Sequence, residues 1–125
     1  MKEIKGAFYL GAERVRLMVE NDNSDGCFYF CYEDGGVPVI CVGINGNWNR
    51  TVSILMHEAM EFVLTRLQCR YQCSDDMGRD HSEYTFHMRH YQFSDACAKV
   101  SEFMAGALPE LSRAHKANQP KAKKP

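Results

Sequence analysis

The hydrophobic period of this chain changes at Asn45–Asn49, "NGNWN". Upstream, apolar residues alternate with polar ones; downstream, they recur every three to four positions. Alternation places one face of an extended strand against a core, and a spacing near 3.6 does the same for one stripe of a helix. The chain must therefore lay down a sheet first and cover it with helices afterwards.

In "ERVRLMVE" (Glu13–Glu20), Val15, Leu17 and Val19 fall on one side, which predicts a strand with one buried face. The turn formers "NDNSDG" (Asn21–Gly26) end it. "CFYFCYE" (Cys27–Glu33) and "VPVICVGI" (Val37–Ile44) follow, joined through Asp34-Gly35-Gly36, a composition suited to a hairpin turn. The expected arrangement is a three-stranded antiparallel meander, extended by residues 5–10, with Pro38 at a strand start or edge. From Thr51 to about Arg70 the helical stripe is Val52, Leu55, Met56, Ala59, Met60, Val63 and Leu67, with Asn47 or Asn49 as N-cap. "EYTFHMRHY" (Glu83–Tyr91) reads as a fourth short strand. A second helix is expected from Phe93 to about Lys116, bent or ended near Pro109. The fold class is α+β: a small antiparallel sheet of three to four strands followed by two helices packed on one face.

A chain of 125 residues suffices for one domain with a real core. Residues 1–112 read as that domain, with ten basic against 16 acidic side chains, a balance of −6. Residues 113–125, "RAHKANQPKAKKP", hold five of the 15 basic residues and no acid, and read as a disordered basic tail. Basic residues in a tail rather than on a folded face do not make a dedicated nucleic-acid binder, so nucleic acid is expected only as a salt-sensitive contact of the tail. No apolar run reaches the ~18–20 residues of a membrane span, and no signal-peptide core opens the chain. A cytoplasmic location is the expectation, with the six cysteines as free thiols. Cys27, Cys41 and Cys97 are expected to be buried. The spacing Cys27-x-x-x-Cys31 on a strand is too long to chelate one ion, at ~3.3 Å per residue.

"SILMHEAMEFVL" (Ser53–Leu64) carries the chemistry. His57 and Glu61 are four residues apart on one helix face, where Cβ atoms lie roughly 5–6 Å apart and can share a metal ion. With the apolar stripe centred on Val52, Met56 and Val63, both fall on the polar side and Glu58 projects from beside them. The same spacing also suits an ordinary solvated i, i+4 pair, and both readings stand at this level. Further ligands would come from Asp80, His81, His87 or His90, with His81 the first choice because a loop residue can reach back over the helix.

This stretch resembles the active-site helix of the zincin metallopeptidases, with a glutamate, Glu61, where the family has its second histidine. An upstream twisted sheet is also similar to the smallest zincin-like domains, in which an edge strand lines the substrate cleft. The resemblance covers Val37 to about Arg70. It implies zinc, with His57 as a ligand and Glu58 as general base; the expected ligand set is completed by Glu61, in place of the second histidine, and by His81 as first choice among the open candidates. Two classes of function follow. One is a binding or regulatory protein that engages another protein, as phage- or mobile-element-encoded inhibitors do, with or without the metal. The other is an active zinc-dependent hydrolase of peptidase type.

Overall fold

A computed structural model describes residues 1–23, 25–29, 36–72 and 84–119. Four strands, β1 (Lys2–Leu10), β2 (Glu13–Asn21), β3 (Gly26–Tyr29) and β4 (Val39–Ile44), precede the helix α1 (Trp48–Arg66). A two-stranded ribbon of β5 (Arg70–Gln72) and β6 (Tyr84–Phe86) then leads to the helix α2 (His90–Ala117). The result is a small α+β fold with both helices on one face of the sheet.

The strand order is β1-β2-β4-β3, so the expected meander is corrected in one respect. β1 with β2 and β3 with β4 are antiparallel, but β4 lies between β2 and β3 and runs parallel to β2, with Leu17 opposite Ile40. β4 is the most apolar of the four strands and every residue in it is buried, which is the signature of a central strand. Pro38 lies just before β4, where its missing N–H costs no ladder bond, and its carbonyl accepts from Arg16 N at 2.8 Å. β1 and β2 meet through Gly11-Ala12, with Gly11 at φ 65°, as a two-residue turn with glycine first requires.

One core joins the layers. Phe8 and Leu10 of β1, Val15, Leu17 and Val19 of β2, and Ile40, Val42 and Ile44 of β4 face Leu55, Ala59 and Phe62 of α1 and Val100, Phe103, Ala107 and Leu111 of α2. Each such aliphatic or aromatic side chain contributes about 1.5–3 kcal/mol on burial. Asn47 caps α1 by accepting from Arg50 N at 3.1 Å. α2 continues through Pro109 to Ala117, so residues 113–117 are helical rather than tail. Among the described residues no helix is long and apolar enough to cross a membrane.

The expected fourth strand is shorter than "EYTFHMRHY" and pairs with β5 rather than with the main sheet, and His90 already opens α2. Of the cysteines, Cys41 and Cys69 are buried while Cys27 and Cys97 are exposed, which corrects two of the three assignments to the core. Cys31 and Cys73 lie outside the described residues.

Candidate metal centre

The buried face of α1 comprises Thr51, Ile54, Leu55, Glu58, Ala59, Phe62, Val63 and Leu64. Its centre is the line Leu55–Ala59–Phe62, not Val52–Met56–Val63, and Met56 is 51% exposed. The helix is apolar on two sides. One side enters the core; the other, with Met56 and Met60, borders a groove beneath the β5–β6 ribbon. Measured from Leu55 at ~100° per residue, Glu58 lies about 60° away, Glu61 about 120° and His57 about 160°. The three therefore form an arc climbing from the core boundary to solvent, with side-chain exposures of 11% for Glu58, 16% for Glu61 and 69% for His57.

Their donor atoms converge. His57 Nε2 lies 3.2 Å from Glu61 Oε2 and 4.0 Å from Glu58 Oε1, and one ligand atom from each residue falls within 4.8 Å of the others. Two ligands of a tetrahedral zinc ion bound at ~2.0–2.2 Å sit about 3.4 Å apart. The His57–Glu61 separation fits that edge. The His57–Glu58 separation exceeds it and suits a carboxylate placed beside a metal-bound water. The group could hold a metal ion, with His57 and Glu61 as the matched pair.

Glu58 owes its position to Gly26 at the start of β3. A Cβ there would lie 3.1 Å from Glu58 Cγ and 2.9 Å from the Cys41 carbonyl oxygen, and closer still to Ile54 Cγ2. The bare glycine lets the helix approach the strand and press Glu58 into the joint. Burial raises the Glu58 carboxyl above its ordinary value of 4.5; the nearby His57 pulls it back, and the Glu61 charge adds to the rise. Glu58 thus holds a proton more readily than an exposed glutamate.

Glu61 has a second partner. The chain leaves α1 through Gln68, at φ 59°, with Leu67 N donating to Val63 O at 2.9 Å and Cys69 N to Leu64 O at 2.8 Å. This left-handed turn sends the backbone back along the helix. Arg70 arrives level with Glu61, its Nη1 3.0 Å from Oε1. The guanidinium also lies 4.3 Å over the Tyr84 ring and 5.5 Å from that of Phe28.

Two hollows meet at His57. One, of about 530 Å³, is apolar and lined by Met56, Met60, Leu64, Tyr84, Phe86 and Met88 with His57 and Glu61 at its end. The other, of about 480 Å³, is more polar and lined by Asp25, Gly26, Arg50, Ile54, His57 and Glu58. His57 and Ser53 line both. Among the described residues β3 is the outer strand of the sheet on this side, and its first residue, Gly26, lines the polar hollow.

Among the described residues the metal-compatible group is His57, Glu58 and Glu61. His87 does not join it: its backbone N–H donates to Cys69 O at 2.9 Å and its ring packs edge-on to Tyr71 at 5.7 Å. His90 opens α2 and does not join it either. Asp80 and His81 fall outside the described residues. Sequence reasoning missed Arg70, whose only advance signal is a positive charge at the expected end of a helix that in fact stops at Arg66, and Gly26, which reads there as a turn residue. No family model matches the chain, and neither the curated proteins nor the solved structures yield a match.

Proposed function

We propose that this chain is a metal-binding protein that holds a zinc-type ion through His57 and Glu61 and engages an extended segment of another protein alongside β3. The 3.2 Å separation of His57 Nε2 and Glu61 Oε2 carries the reading, because it matches the edge of a tetrahedral site without rearrangement. The polar hollow beside the pair is lined by Gly26 of β3, the outer strand among the described residues, and an outer strand is where an extended chain can add to a sheet. A histidine and a carboxylate leave coordination positions for a further protein ligand, His81 being the first candidate, and for a water or a ligand carbonyl.

A second reading, metal-dependent hydrolysis of a peptide-type bond, is favoured by one observation. Glu58 is buried, disposed to accept a proton, and 4.0 Å from the His57 nitrogen. There it would take the proton of a water activated on the metal.

Metal analysis of the purified protein tests the centre. The wild type is expected to carry about one equivalent of a transition ion, and His57→Ala to lose it while keeping its fold, since the His57 side chain is 69% exposed. A metal-free wild type with an equally folded His57→Ala variant removes the proposal. Glu58→Gln then separates the two readings. An enzyme retains its metal but loses hydrolysis of unfolded protein substrates by about 10²–10⁴-fold; a binding protein shows no hydrolysis in either form.

A further inference from the structure

The contact between Arg70 and Glu61 bears on which ion the centre accepts. Glu61 has two oxygens with different partners: Oε2 lies 3.2 Å from His57 Nε2, and Oε1 accepts from Arg70 Nη1 at 3.0 Å. A carboxylate so held offers a metal one oxygen. We propose that Arg70 is a specificity-determining residue: by occupying Oε1 it confines Glu61 to a single bond with a small, borderline-soft ion such as Zn²⁺ or Co²⁺ and turns away larger, oxygen-seeking cations. The assignment rests on the metal reading of His57 and Glu61.

Three features fix Arg70 in that role. Its backbone is delivered by the left-handed turn at Gln68 and held in the ribbon opposite Phe86. Its guanidinium lies over Tyr84 and beside Phe28, so swinging away from Glu61 abandons two aromatic faces as well as the ion pair. Its side chain is only 24% exposed, so solvent competes weakly for Oε1.

The chemistry of the ions does the rest. Calcium takes six to eight oxygens at about 2.3–2.6 Å and commonly grips a carboxylate by both of them. Zinc and cobalt accept imidazole nitrogen and a single carboxylate oxygen in a four-coordinate site. The guanidinium removes one oxygen and also offsets one of the two carboxylate charges, and a hard cation depends on both. Partners of this outer kind alter metal affinity by about 10–100-fold.

The test is calorimetric titration of the full-length chain with Zn²⁺, Co²⁺, Mn²⁺ and Ca²⁺, together with the visible spectrum of the Co²⁺ form. Arg70→Met keeps an unbranched stem between Phe28 and Tyr84 but removes the guanidinium. It is expected to lower the preference for Zn²⁺ over Mn²⁺ and Ca²⁺ by about tenfold or more, and to weaken the intense absorption of four-coordinate Co²⁺ as the coordination number rises. Tyr84→Leu, which leaves the guanidinium but removes its stacking platform, is expected to shift the preference in the same direction by less, and it carries the test if Arg70→Met does not fold. Wild-type preference and an unchanged Co²⁺ spectrum in the folded variants overturn the role of Arg70 alone. A wild type that binds none of the four ions removes the metal centre and this role together.

Discussion

Placing a methyl group on Gly26 probes the joint between β3 and α1 directly. Gly26 is not in the left-handed backbone region, so alanine meets no conformational obstacle there. Judged by backbone entropy alone, Gly26→Ala should stabilise the strand by roughly 0.5–1 kcal/mol. The packing gives the opposite sign. The new Cβ would lie 2.9 Å from the Cys41 carbonyl oxygen and 3.1 Å from Glu58 Cγ, with Ile54 Cγ2 nearer than either, where carbon contacts settle at about 3.5–4.0 Å. Cys41 belongs to the central strand and cannot yield, so β3 or α1 must retreat by several tenths of an ångström. Overpacking of this kind costs about 1–3 kcal/mol. For a domain of this size the melting temperature should fall by about 4 °C per kcal/mol. Thermal unfolding followed by circular dichroism reads the effect, and an Ile54→Ala background closes a double-mutant cycle. Because Ile54 supplies the nearest obstruction, the pair should show a favourable coupling of at least about 0.5 kcal/mol. A Gly26→Ala protein as stable as the wild type, or with no coupling to Ile54, would refute the claim that glycine is there to admit the helix.

Three further outcomes follow from the same geometry. Glu58 holds its proton more tightly in the folded chain than its ordinary value of 4.5 implies, so stability falls as pH rises from that value through the raised one and stays lowered above it. Glu58→Gln should therefore melt higher than the metal-free wild type at neutral pH, with the advantage vanishing as pH falls below about 4.5; an advantage that does not shrink on acidification contradicts the burial account. Asn47→Ala removes the side-chain cap on Arg50 N and should cost about 0.5–2 kcal/mol in denaturant titration. Gln68 sits at φ 59°, so Gln68→Gly should raise stability by about 1 kcal/mol in the same titration without displacing Arg70.

What could be read in advance was what local periodicity encodes. The alternation of Val15, Leu17 and Val19 and the helical spacing from Leu55 to Val63 each identify their element without reference to the rest of the chain. The pairing of β2 with β4 could not be read, because parallel strands meet across a long intervening segment and no turn residue marks their register. The Asp34-Gly35-Gly36 signal pointed to adjacency of the two strands it joins, and β3 and β4 do pair; nothing local said that β4 would also displace β3 from β2. In the site, the i, i+4 spacing brought His57 and Glu61 together, as the structure has them. The depth of Glu58 is not legible in the sequence because α1 carries apolar residues on two sides, and the stripe through Met56 competes with the true core line Leu55–Ala59–Phe62. Arg70 was invisible for a different reason: its approach depends on a left-handed turn made by glutamine, where a glycine would have announced it.

The packing of α2 against β1 has a consequence for how the protein is made. β1 is the first described strand and α2 the last described helix, and their side chains share one core, Phe8 and Leu10 beside Val100 and Phe103. During synthesis the sheet and α1 emerge before α2 exists, and the part of their apolar face that α2 covers stays open. His57, Glu58 and Glu61 leave the ribosome together on a helix that has the sheet to pack against but not yet its partner helix. The donor atoms of the proposed centre thus precede part of the framework that sets their spacing, and Arg70, four positions beyond the helix, follows all three.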